Sequence, residues 1–123
     1  MTSATLKHLS VEALVEQFRL MALAQDEALL DDEHTKYNRL FDKMEEVKGE
    51  LKSRPDDGRR AMLPLLAHSN AQVRLKAAIA LLAFEPEAAR AALQRISDAN
   101  EYPQAARARG MMRAVDEGRY VPS

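Results

Sequence analysis

Residues 63–84 read Leu63-Pro64-Leu65-Leu66-Ala67-His68-Ser69-Asn70-Ala71-Gln72-Val73-Arg74-Leu75-Lys76-Ala77-Ala78-Ile79-Ala80-Leu81-Leu82-Ala83-Phe84. The second half of this stretch decides the fold. Ser69 followed three residues later by Gln72 has the form of a capping box, which opens a helix at Val73. From there to about residue 84 the chain is apolar nearly all round. A helix without a broad polar face must be buried on several sides, so this one is expected at the centre of an α-helical domain, with Ile79 and Leu81 both buried. The preceding segment, with Met62, Leu63, Leu65 and Leu66, is expected to be a helix that Pro64 bends or weakens.

Working outward, the same period recurs. Ser10 is placed to cap a helix from Val11 to about Leu30, with Val11, Leu14, Val15, Phe18 and Ala22 on one face. The acidic Asp31, Asp32 and Glu33 suit a turn. A second helix then carries Tyr37, Leu40, Phe41, Met44, Val47 and Leu51 as an apolar stripe and stops near Ser53, because Pro55 disfavours helical geometry in Arg54. Beyond the central helix, Pro86 suits the first position of another, whose apolar positions are Ala88, Ala89, Ala92, Leu93 and Ile96. A last helix starts at Pro103, and Gly118 is its expected stop. No segment alternates with period two, so no sheet is expected.

The second helices of three successive hairpins superpose without gaps. With Arg39, Arg74 and Arg107 in register, the residue one on is Leu40, Leu75 or Ala108. The residue five on is Met44, Ile79 or Met112, and eight on it is Val47, Leu82 or Val115. All nine are apolar and share a helical face. The spacings of 35 and 33 residues lie in the range of helix-hairpin repeats. The expected architecture is all-α: three stacked antiparallel hairpins forming a short right-handed α–α superhelix of the HEAT or armadillo kind. Residues 1–123 form a single domain, with an arm over 1–9, hairpins over 10–53, 54–84 and 85–117, and a tail over 118–123.

Leu63-Pro64-Leu65-Leu66, then Val73-Arg74, Ala77-Ala78 and Ala80-Leu81, resembles a HEAT repeat. Over its whole length, with the run Leu14 to Asp32 and with Asn38-Arg39-Leu40, the sequence resembles a group of short bacterial α–α superhelical proteins known only as a domain of unknown function. That resemblance implies the fold and no activity.

Composition bounds the function. Lys and Arg number 18 and Asp and Glu 19, a formal net charge of -1, which gives no support to a general binder of nucleic acid or anionic membrane. The absence of cysteine removes disulfides, thiol catalysis and thiolate metal sites. The longest apolar run, residues 77–84, spans eight residues, against the ~20 that cross a bilayer. With no secretory signal at the N-terminus, the chain is expected in the cytoplasm.

Sites of chemistry are sparse in the pattern. His8, His34 and His68 have no metal-ligand spacing. Asp31 to His34 lacks the glycine-bearing loop of a calcium site and reads as a solvated turn. Asp56 and Asp57 read as a helix start, and no phosphate-binding glycine motif is present. The expectation is therefore a non-catalytic protein-interaction module that uses the concave face of the helical stack, without cofactor or metal, whose partner is another protein. An immunity protein or inhibitor would be one form of it. The alternative is a nucleic-acid binder using C-terminal arginines, since residues 61–123 hold eight basic and six acidic residues. The candidate partner-binding residues are Arg39, Arg74, Arg107, Arg109 and Arg113. The first three, a column flanking the packed face, would serve either as a structural ladder or as a docking row for an acidic partner.

Overall fold

The computed structural model describes residues 3–123. It is all-α: among the described residues there is no strand. The elements are α1 (Ser3–Leu6), α2 (Val11–Leu30), α3 (His34–Ser53), a 3-10 segment (Gly58–Ala67), α4 (Ala71–Leu81), α5 (Pro86–Asp98) and α6 (Gln104–Asp116). The chain divides into two compact units, residues 1–62 and 63–123.

In the first unit, the Ser10 hydroxyl accepts a hydrogen bond from the Ala13 N–H at 3.1 Å, the N-cap its position implies. Leu14, Phe18 and Ala22 are buried along α2. The helix ends in a Schellman closure: the Asp32 N–H donates to Leu29 and the Glu33 N–H to Ala28, with Asp32 at φ 57°. Only three residues then separate α2 from α3. At the other end the Arg54 guanidinium reaches the Leu9 carbonyl, so α2 and α3 run antiparallel. On α3 the inner stripe is Met44, Val47 and Leu51. Tyr37 and Leu40 are half-buried, and Phe41, at the flank of that stripe, is exposed.

The arm contains a short helix, α1, that sequence periodicity does not show. Four residues are too few for helical spacing to register. Its Leu6 is buried, and it lies against α3.

The helix expected around Pro64 is a 3-10 segment of ten residues instead. Proline has no N–H to donate, and in an α-helix its ring would press on the Arg60 carbonyl. The tighter winding avoids that clash. Asp56 and Asp57, at φ 58° and 59°, reverse the chain into it, and the Asp57 carboxylate accepts the Arg59 N–H at 3.1 Å. Gly58 sits so close to the end of α3 that a Cβ there would lie 2.8 Å from the Leu51 carbonyl oxygen.

In the second unit, α4 differs from expectation in three respects. Its cap is Asn70, one residue after Ser69, whose side-chain oxygen accepts from both the Gln72 and the Val73 N–H. The helix therefore starts at Ala71 and ends at Leu81, short of Phe84. Leu81 is fully buried whereas Ile79 is only half-buried, and the polar Gln72 and Lys76 are buried. The helix is central, as its composition requires, but it is not covered all round, since Ala71, Arg74 and Ile79 are each only half-buried.

Pro86 stands at the start of α5, and Ala89, Ala92, Leu93 and Ile96 bury its inner face. Arg90 pairs with Asp116, and Ser97 with Arg109. These residue numbers sum to the same value, so α5 and α6 are antiparallel. Gln104, at the start of α6, donates to Gln72, at the start of α4, at 3.0 Å, which brings the N-terminal ends of these two helices together. Both α5 and α6 close by the Schellman pattern, through Asn100 at φ 54° and Gly118 at φ 72°.

Candidate functional site

The arginines singled out by sequence fall into two kinds. Arg74 is held. Its guanidinium donates through Nη1 and Nη2 to the two Glu101 carboxylate oxygens, at 2.8 and 2.7 Å. Nη2 also reaches the Ser69 carbonyl at 3.4 Å. This is the bidentate fork–carboxylate arrangement, here joining α4 to the connection between α5 and α6. The guanidinium holds the Glu101 carboxyl below its ordinary value of 4.5.

Arg109 is held as well. Nε donates to the Ser97 hydroxyl at 2.8 Å, and Nη2 to the Ser97 carbonyl at 2.7 Å and the Asn100 side chain at 2.8 Å. Nη1 donates to the Tyr102 hydroxyl. A cation on the final carbonyls of α5 also complements the negative end of that helix's dipole. Glu101 lies 27 residues from Arg74 and Ser97 12 from Arg109, where no local spacing reveals them.

Arg39, Arg107 and Arg113 are exposed and form no ion pair among the described residues. Arg107 and Arg113 are exposed on α6, as are Ala106 and Gly110, and at six residues' spacing they lie about 120° apart around the helix axis. At Gly110 an added Cβ would meet nothing within 4 Å. Arg39 belongs to the first unit, on the exposed N-terminal half of α3.

Two arginines that the spacing argument passed over are heavily engaged. Arg59 is buried and grips the Asp57 carboxylate, with its Nη2 at 2.6 Å from Oδ2. Arg54 donates to Glu50 and to backbone carbonyls of the arm. Each guanidinium holds its carboxylate partner below the ordinary value, 3.8 for Asp57 and 4.5 for Glu50. Among the described residues no group of three His, Asp or Glu side chains is placed to hold a metal ion, and no helix is long and apolar enough to cross a membrane.

These pairs set a pH dependence. A carboxyl whose pKa is depressed by folding contributes stability that is complete above its unfolded value and is lost as pH falls through the folded one. Thermal unfolding at constant ionic strength should therefore show stability falling as pH is lowered past about 4.5, first through Glu50 and Glu101 and then through Asp57. The exposed Arg90–Asp116 pair should contribute little. Glu101→Gln should flatten the upper part of the profile, and an unchanged profile would separate the Arg74 pair from folding.

Comparison with known proteins agrees with the all-α architecture. The chain is similar to the crystal structure of the protein RPA1889 from Rhodopseudomonas palustris CGA009, at 38% sequence identity and a TM-score of 0.93, over 96% of this chain and 98% of that one. The comparison with curated proteins finds no match. The family profile described as a domain of unknown function, DUF2019, matches residues 12–116, and the chain belongs to that family.

Proposed function

We propose that the protein is a small non-catalytic interaction module that docks an acidic surface of another protein, with Arg107 and Arg113, exposed on α6, as the principal contacts. The observation that supports it most is the division of the arginines. Arg74 and Arg109 are committed to bonds within the fold, whereas Arg107 and Arg113 stand exposed on α6. Two exposed guanidiniums on one helix offer unoccupied donors to the carboxylates of a partner. Arg39 is a further candidate contact. The wider setting in this reading is a short right-handed HEAT-like superhelix in the cytoplasm, supported by the antiparallel hairpins and by the three-fold register of Arg39, Arg74 and Arg107.

The test is capture from native extract with the unaltered chain, beside the double variant Arg107→Glu/Arg113→Glu. The variant should lose a specific retained protein by at least about tenfold in affinity while melting at nearly the same temperature, since surface charges contribute little to folding. Retention unaffected by the reversal would overturn the assignment. Retained nucleic acid, with affinity collapsing between low and moderate salt, would favour phosphate binding instead.

A further inference from the structure

We infer that the acidic surface met by Arg107 and Arg113 is supplied by a second copy of this chain: the exposed row of α2 in one copy, with Leu20, Leu23, Glu27, Leu30 and Asp31, seats on α6 of the other. This rests on the reading of Arg107 and Arg113 as contacts and names their partner.

The exposed positions of α2 fall in a single row. They are Glu12, Glu16, Leu20, Glu27 and Leu30, with half-buried Leu23 among them. At about 100° per residue this row lies on the side turned away from the buried Leu14, Phe18 and Ala22. Glu16 is engaged by Arg19 within the row's N-terminal half. The C-terminal half opposes what a solvated helix end favours in two ways. Leu20 is 46% exposed and Leu30 82%. Glu27 and the C-cap Asp31 stand at the negative end of the helix dipole, in a last turn without a basic residue. Leucines flanked by such carboxylates are matched by a surface that is level at its centre and cationic at its edges.

α6 has that form. Gly110 falls midway between Arg107 and Arg113, about 60° of helix from each, and Ala106 lies in the same arc. A floor of one glycine and one alanine between two guanidiniums lets a leucine approach the backbone closely. Nothing inside the chain requires Gly110: a Cβ there would meet nothing within 4 Å, and glycine weakens a helix interior. Arg107 stands in the first turn of α6, at the positive end of its dipole, and no acidic residue of that turn compensates it. The two helix ends are thus each charged against their own dipole and with opposite sign, so pairing them relieves both. The wider charge distribution agrees. Residues 1–62 hold 10 basic and 13 acidic residues, and residues 63–123 hold 8 basic and 6 acidic. The contact joins unlike faces, and every copy carries both halves of it.

The experiment is sedimentation equilibrium of the full chain at low salt, up to millimolar concentration, with two charge reversals. Glu27→Arg/Asp31→Arg alters α2 alone, in the sense its dipole favours, and Arg107→Glu/Arg113→Glu alters α6 alone. The unaltered chain should self-associate, and each reversal by itself should weaken this at least about tenfold without lowering the melting temperature. Mixing the two reversed chains should restore association to within about threefold, because opposite charges then meet at both faces. Gly110→Leu should raise the melting temperature and still weaken self-association, since it favours the helix but fills the floor. An unaltered chain that stays monomeric, association that Glu27→Arg/Asp31→Arg leaves intact, or a mixture no tighter than either variant alone would overturn the inference. A chain that never self-associates, yet loses a captured protein on Arg107→Glu/Arg113→Glu, would remove the second copy and leave the interaction module standing. If that reversal changes neither capture nor self-association, the reading of the two arginines fails with it.

Discussion

Replacing Leu81 with alanine is expected to destabilise the protein by about 2–5 kcal/mol, the range for deleting a fully buried leucine side chain. Leu81 has no exposed surface, and it ends the helix around which α5 and α6 are arranged. The neighbouring alanines, Ala77 and Ala78, are themselves fully buried and have no longer side chain to swing into the space. The cavity should therefore persist, placing the cost in the upper part of that range. Domains of this size have only about 5–15 kcal/mol of stability, so urea unfolding should show a large shift of midpoint. Ile79→Ala, at a half-buried position of the same helix, should cost clearly less. Equal losses at the two positions, or a loss under about 1 kcal/mol at Leu81, would contradict the observed burial.

Gly58→Ala is expected to destabilise by about 1–3 kcal/mol through overpacking. The added carbon would stand 2.8 Å from the Leu51 carbonyl oxygen, 3.2 Å from the Arg54 Cβ and 3.4 Å from the Leu51 Cδ2. The nearest of these is backbone and cannot rotate away. That carbonyl also accepts the Arg54 N–H, so displacing it would disturb the end of α3. Gly49→Ala is the matched control. It lies within α3 with nothing within 4 Å of a Cβ, and it should stabilise by about 0.5–1 kcal/mol because alanine favours the helix. Opposite signs at two glycines nine residues apart would establish that contact, not residue type, decides. A neutral Gly58→Ala would mean that the segment after α3 can move aside.

The limits of α2, α3 and α5 are legible in the sequence because single residues set them. Ser10 caps, Pro55 forbids continuation, and Pro86 initiates. Other features are hidden for physical reasons. Ser69 and Asn70 can each cap a helix, and only the backbone geometry puts the Asn70 oxygen within reach of two N–H groups. The left-handed residues that close α2 and α5 are Asp32 and Asn100, so a search for glycine finds only the third such closure, at Gly118. Pro64 announces a disturbed helix but not whether the chain bends or tightens into a 3-10 form. Among the candidate site residues, the register shows Arg74 to be a flanking arginine. Its commitment to Glu101 depends on a chain reversal that no local pattern encodes. Exposure of Arg107 and Arg113 was likewise a matter of which side of α6 the core occupies.

The buried amide pair Gln72–Gln104 has a consequence for how α4 and α6 find their alignment. The faces of these helices contain many alanines, and a smooth surface of methyl groups costs little to slide by a turn. An amide donor meeting an amide acceptor in the interior distinguishes one alignment from the next, because any shift separates the two and strands polar atoms away from water. The pair works as a notch between two otherwise even edges. Its contribution lies in selecting one arrangement of the second unit from several of similar burial.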